Sequence, residues 1–139
     1  MSSLIRFGVS LDNELLKKFD IHLSKKGYAS RSEAFRDLIR EDLVKNEWLD
    51  EDKETAGAII LIYDHHQSQL LGRITQVQHD HQSVIVSTQH IHLDHHNCLE
   101  IIAIRGIGKE IKELADHLRS LKGVKHGTLS LSTMGKDLH

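Results

Sequence analysis

Four potential metal donors occupy one short stretch of the chain: His79, ten residues, His90, one residue, His92, five residues, and Cys98, the single cysteine among 139 residues. Three imidazoles and a thiolate suit Zn(II) in a tetrahedron or Ni(II) and Cu(II) in a plane, and they exclude an all-oxygen calcium or magnesium site. Copper binds such donors more tightly than nickel, so selectivity has to come from geometry and cellular supply. Four protein ligands close a coordination sphere, whereas a hydrolytic zinc centre keeps one position open for water. The donor count therefore points to sensing or structure. With no glycine-rich phosphate loop and no separate Ser/His/Asp or Cys/His arrangement, the chain reads as a non-enzyme.

Eleven of the twelve histidines lie from His65 onward. Besides the four-donor set, His65, His66, His81, His95, His96, His117, His126 and His139 are more than one site can use, and they read mostly as solvated or hydrogen-bonded residues. The pairs His65/His66 and His95/His96 are the ones suited to collecting excess metal weakly.

The donors need elements to hold them. Ala58 to Tyr63 is a continuous apolar run suited to a buried strand, and Gln69 to Gln78 carries Leu70, Leu71, Ile74 and Val77 at helical spacing. Ser83 to Leu93 and Cys98 to Arg105 are β-rich runs joined by the polar turn Asp94, His95, His96, Asn97. Lys109 to Leu121 is an amphipathic helix stopped by Gly123, and Val124 to Thr133 is a last strand. The order β, α, β, β, α, β is that of the ferredoxin-like sandwich found in ACT-type domains. In its hairpin, His92 and Cys98 become direct cross-strand neighbours, with Cβ atoms roughly 4.5 to 5.5 Å apart. His90, two residues earlier, projects from the same face. These three form a half-site. His79, at the carboxyl end of the preceding helix, has nothing local to bring it to the same hairpin, and it is free to serve a neighbouring subunit.

The amino-terminal third has a different character. Ile5, Phe7, Val9 and Leu11 alternate with Arg6, Gly8 and Ser10, the period of a strand with one buried face. Asp12 caps a helix carrying Leu15, Leu16, Phe19 and Leu23, with Gly27 as its stop. Ser30 and Glu33 form a capping box for a second helix that carries Ala34, Phe35, Leu38, Ile39 and Leu43 and fades near Leu49. A lone strand makes no sheet, so two copies have to pair as an antiparallel ribbon, whose width fits the major groove of DNA. This order resembles the ribbon-helix-helix repressors of the Arc and MetJ type. The resemblance implies base reading from Arg6, Gly8 and Ser10, and phosphate contacts from Ser30, Arg31 and Ser32. Gly8 departs from the pattern, since glycine can touch a base only through its backbone.

Composition bounds the rest. A net charge of -2 argues against indiscriminate nucleic-acid binding, whose affinity comes from many cationic contacts. Asp50 to Gly57 holds four acidic residues against one lysine and reads as a linker between two balanced halves. The expected organisation is α+β: a DNA-binding domain over residues 1–49, a linker over 50–57, and a metal-binding and assembly domain over 58–139. No apolar stretch approaches the ~18 residues of a membrane span and no export signal opens the chain, so a soluble cytoplasmic protein is expected, with Cys98 free or metal-bound.

The full pattern, with RSEAFRDLIR in the second helix, STQHIHLDHHNCLEI across the hairpin and the late VKHGTLSLS, resembles the nickel-responsive transcriptional regulators of the NikR family over nearly the whole chain. The resemblance implies a homotetramer built as a dimer of dimers, with one planar Ni(II) per subunit held by His90, His92 and Cys98 of one chain and His79 of another. It implies that nickel strengthens operator binding and represses nickel-uptake genes. Glu100 is implied to orient an imidazole from behind the ligands, and Glu33 and Asp37 match carboxylates that hold a second, weaker cation between domains. Gln67 and Ser68 stand where relatives use basic residues toward DNA. A ribbon-helix-helix interaction or antitoxin-like protein with a structural zinc site is the alternative reading.

Overall fold

A computed structural model describes residues 3–49, 52–67, 69–136 and 138. Packing divides the chain into two compact units, the first reaching Leu43 and the second running from Val44 to Lys136. In the first, the Asp12 carboxylate accepts the amides of Glu14 and Leu15 at 2.9 and 3.4 Å and opens α1 (Asn13–Lys25). Gly27, at φ +81°, takes the chain out of it. Helix α2 (Arg31–Leu49) begins with the expected reciprocal cap: Ser30 Oγ accepts from the Glu33 amide, and Glu33 Oε2 accepts from the Ala29 amide. Phe19 and Phe35 pack tilted at 5.1 Å between the two helices.

The strand expected at Ile5 to Leu11 is not formed within this chain. Ile5, Phe7, Val9 and Leu11 are 84, 72, 51 and 39 % exposed, and a ladder needs a partner strand that one copy does not supply. Leu15, Ile21, Leu38, Ile39 and Leu43 are also exposed, leaving only Leu23 and Ala34 buried among the described residues of this unit. A unit of this size with so little core cannot offset its chain entropy alone.

The second unit contains β1 (Glu54–Asp64), α3 (Leu70–Asp80), β2 (Ile85–His92), β3 (Asn97–Ile107), α4 (Gly108–Ser120) and β4 (Val124–Leu131). Its sheet has the order β2-β3-β1-β4, with each neighbouring pair antiparallel, the topology expected of the ferredoxin-like order. Alternation along the strands sorts the faces. Ile59, Leu61 and Tyr63 of β1 with Cys98, Ile102 and Ile104 of β3 meet Leu70, Ile74 and Val77 of α3 and Ile111, Leu114, Ala115 and Leu118 of α4. Each fully buried aliphatic side chain contributes about 1.5–3 kcal/mol. The opposite face carries Ile60, Ile62, Leu99 and Ile101, all only half-buried.

Two boundaries differ from the sequence expectation. Strand β1 starts at Glu54, inside the segment read as a linker, because Thr55 is buried and donates its hydroxyl to the Ser132 carbonyl at 2.9 Å while β1 pairs out to Ile107 of β3. Asp50 and Glu51 of that segment, with Ser68 and His139, lie outside the described residues. The packing division falls at Leu43 and not at Leu49, because the end of α2 is bound into the second unit. Trp48 Nε1 donates to the Ser132 carbonyl at 2.9 Å, and Glu47 accepts from Thr133 Oγ1 at 2.9 Å.

Candidate metal centre and nucleic-acid interface

Pairing sets the metal-donor geometry. His92 stands opposite Cys98 and His90 opposite Glu100, so all four side chains share the helix-covered face of the sheet. The turn between the strands is fixed by Asp94, whose carboxylate accepts the Asn97 side-chain amide and the backbone amides of His96 and Asn97, the latter two at 2.8 Å each; the Asn97 side-chain bond first, then the backbone bonds, hold its carboxyl down at about 2. His92 Nδ1 lies 3.6 Å from Cys98 Sγ, and the His90 and His92 rings are 5.1 Å apart. Two imidazoles bound cis to one ion at about 2.0–2.1 Å hold their ring centres roughly 4.5–5.2 Å apart. The ring spacing would allow His90 and His92 to share an ion, but the structure gathers only His92 of these two with Cys98 and does not bring His90 into that donor group. The Cys98 thiol is pushed up by burial, against which a bond from His65 works, and so it stays protonated at neutral pH without a metal.

A fourth residue, His65, stands beside the thiol. Its Nδ1 lies 2.9 Å from Cys98 Sγ and its ring 5.0 Å from that of His92, so His65, His92 and Cys98 form the group of donors that meet within this chain. Burial and then the neighbouring imidazoles hold His65 below the ordinary histidine value, which leaves it neutral and able to donate a lone pair. The signal was available: in the ferredoxin-like order β1 adjoins β3, so the residue following β1 arrives beside the hairpin tip. His79, in the last turn of α3, is exposed and is not brought to Cys98 within the chain.

Behind the donors runs a partly buried chain of polar contacts. His90 Nδ1 is 3.1 Å from the Tyr63 hydroxyl and 3.8 Å from Glu100 Oε1, while Gln78 Nε2 donates to Glu100 Oε2 at 2.9 Å. With Nδ1 so engaged, His90 presents Nε2 as its donor, the arrangement in which an outer partner orients a ligating imidazole. Glu100, expected in that role, shares these contacts with Tyr63 and Gln78, neither of which the sequence singled out for it. Burial raises the Glu100 carboxyl, opposed by the bond from Gln78, by the His90 imidazole beside it and by Tyr63. The Tyr63 phenol is raised far above its ordinary value by burial and by the Glu100 charge.

On the nucleic-acid side, Arg6, Gly8 and Ser10 are all exposed. Arg31 is held by Asp20 in a two-point pair, Nε to Oδ1 at 2.9 Å and Nη2 to Oδ2 at 2.8 Å, which partly neutralises the cation expected to face phosphate. Ser32 is exposed at the start of α2 beside it. Glu33 and Asp37 have local partners: Glu33 accepts the Ala29 amide, and Asp37 accepts the Tyr28 hydroxyl at 2.6 Å and faces Arg40 at 3.5 Å. Among the described residues, the groups of three or more metal donors lie at Cys98 and at Asp64, His65 and His66, and neither includes Glu33 or Asp37. Gln67 packs its amide against Gly123, whose φ of +103° closes the turn after α4.

Comparison with known proteins places both halves of the chain in known families. Residues 56–132 match the NikR C terminal nickel binding domain, and residues 5–45 match the ribbon-helix-helix proteins of the copG family. A protein of Nitratidesulfovibrio vulgaris strain Miyazaki F is 54 % identical over 138 residues, covering 99 % of both chains, and one of Syntrophus aciditrophicus strain SB is 57 % identical over 136 residues, covering 98 % of both. Both are named as nickel-responsive regulators. An uncharacterized protein of Thermotoga maritima shares the fold over 57 % of this chain and 98 % of its own, with a TM-score of 0.52 at 9 % identity. With both domain models matched in order and relatives more than half identical along its length, this chain belongs to the nickel-responsive regulator family, non-enzymatic DNA-binding regulators that carry a ribbon-helix-helix domain and a nickel-binding domain.

Proposed function

We propose that this protein is a nickel-dependent repressor of nickel-uptake genes. It acts as a homotetramer in which the second units associate centrally and the amino-terminal segments pair as ribbons in the major groove. The observation that carries this reading is the division of the donor set: His90, His92 and Cys98 share one face of one hairpin, while His79 stands exposed on α3. Such a set is completed by a second chain, His79 of one subunit joining the hairpin donors of another. The residues fit nickel, with borderline imidazole donors and one soft thiolate. When bound, nickel supplies a fixed link between chains. His90 is oriented for that link by Tyr63 and Glu100, and Cys98 sits where water is excluded.

The exposed apolar side chains at Ile5, Phe7, Leu38 and Leu43 support pairing of the first unit, and the half-buried Ile60, Ile62, Leu99 and Ile101 support association of the second. Arg6 and Ser10 read base edges, and Gly8 allows close backbone approach. Linkage between metal and DNA of this kind is typically about 1–3 kcal/mol, a 5- to 150-fold change in affinity.

The test is DNA selection from a random pool by the tetramer, followed by gel-shift titration of the selected site with stoichiometric Ni(II) and with chelator. Affinity should rise at least about fivefold with nickel. Equal affinity in the two arms, or full response to Zn(II) with indifference to Ni(II), would overturn the proposal, the latter in favour of a structural zinc site.

A further inference from the structure

The hairpin tip and the residue after β1 gather three more histidines. The His95 ring is 4.9 Å from His96 and 5.2 Å from His66, and His66 is 5.8 Å from His96. The first two separations match the roughly 4.5–5.2 Å expected of imidazoles sharing one ion; the third is about half an ångström longer and the three donor nitrogens are not gathered in this structure, so rotation of the exposed side chains has to bring them together. All three are exposed. Two features prepare them. The Asp64 carboxylate accepts the His66 amide at 2.9 Å and lies 3.2 Å from its Nδ1, which fixes the ring and leaves Nε2 outward, the carboxylate-imidazole pairing common behind metal ligands. The Asp94 turn holds the backbone of His96 and Asn97, and Lys125 donates to Asn97 Oδ1 at 2.5 Å, so the tip that carries His95 and His96 is braced from two sides.

We infer that His66, His95 and His96 form a second divalent transition-metal site at the hairpin tip, beside the Cys98 donors, built from imidazoles alone and sharing no donor with Cys98. Its ligands select Cu(II), Ni(II) and Zn(II) over calcium and magnesium. Exposure and the lack of a thiolate make it the weaker of the two sites, filled at higher metal concentration. The site does not depend on which ion Cys98 prefers.

The test uses the untagged full chain and Ni(II) alone, with bound equivalents counted by equilibrium dialysis and the thiolate-to-metal absorption band recorded in parallel. Wild type should bind one tight equivalent per chain and one weaker one. H95A/H96A should lose the weaker equivalent and keep the thiolate band; its turn survives because Asp94 holds the backbone amides and not the imidazoles. His66→Asn should give the same loss, and Cys98→Ala should lose the band and keep the weaker equivalent. Unchanged stoichiometry in H95A/H96A, or disappearance of the weaker equivalent with Cys98→Ala, overturns the inference. A wild type without a thiolate band would instead count against the nickel reading and leave this count interpretable.

Discussion

Replacing Tyr63 by Phe removes one oxygen from the molecule and should separate its effects on metal affinity and on folding. The ring is fully buried and its packing survives in Phe, so no cavity of consequence is made. The lost hydroxyl leaves His90 Nδ1 with Glu100 Oε1 at 3.8 Å, beyond hydrogen-bond length, and it leaves buried Glu100 with Gln78 as its remaining close partner. One net hydrogen bond is worth about 0.5–1.5 kcal/mol, which for a unit of this size lowers the melting temperature of the metal-free protein by roughly 2–12 °C. Loss of an outer partner of a ligating histidine costs about 10- to 100-fold in metal affinity. The lower end applies here: the His90 side chain is one-third exposed, and water can take over part of the orienting role. Nickel titration of Tyr63→Phe against a competing chelator should therefore show about tenfold weaker binding, about 1.4 kcal/mol, with the thiolate band unshifted because the donors are unchanged. Unaltered affinity in a destabilised variant would refute the reasoning, since His90 would then not be held for the metal through Nδ1.

Mixing H79A and C98A chains tests donation across subunits: each alone lacks a complete donor set, and on subunit exchange the thiolate-nickel band should return in a fraction of sites, whereas donation within one chain predicts no return. The raised Glu100 carboxyl means that the folded metal-free protein holds a proton which the unfolded chain releases near pH ~4.3, so this group's contribution is largest below that value and is lost as pH rises through the higher folded value. Glu100→Gln should flatten that decline in urea midpoints measured across the acid-to-neutral range; an unchanged slope would place its origin elsewhere. Gly123→Ala forces a side chain into φ +103° and against Gln67 and Leu70, and should cost at least about 1–3 kcal/mol in denaturant melts. Arg6→Ala should lose about 1–3 kcal/mol on the selected DNA site with relaxed base preference at one position, whereas a phosphate-only role would weaken all sequences alike and reduce the salt slope by about one.

Much of the fold was legible because each element serves one face. The continuous apolar run of β1, the β-rich run of β3 and the helical spacing in α3 and α4 together dictate a helix-covered sheet, and the short connection from His92 to Cys98 leaves little choice of hairpin register. Glu54 and Thr55 were illegible as strand for a physical reason: their composition is that of a solvated linker, and only a distant acceptor, the Ser132 carbonyl, makes a buried threonine tolerable. His65 lies 33 residues from Cys98, and no local spacing joins them. They meet because Tyr63 pairs with Cys98 and Asp64 with Asn97, so the end of β1 overhangs the hairpin tip. Tyr63 shows the same limit, since an apolar run announces burial and says nothing about where a hydroxyl within it will point.

The features that looked incomplete in the sequence remain incomplete in the folded chain, and in the same sense. The amino-terminal segment keeps its alternation yet forms no ladder, and the hairpin holds its donors on one face while His79 stands exposed on α3. Within one chain, His65 occupies the place beside the thiol at 2.9 Å. In the proposed assembly, arrival of a neighbour's His79 changes the company of Cys98 from a ligand set internal to one subunit to one that spans two. That difference is what a sensor needs. A site closed within one chain would bind metal equally well in every arrangement of its neighbours and could favour none of them, whereas a shared site binds best in the arrangement that completes it and so biases the tetramer toward that arrangement.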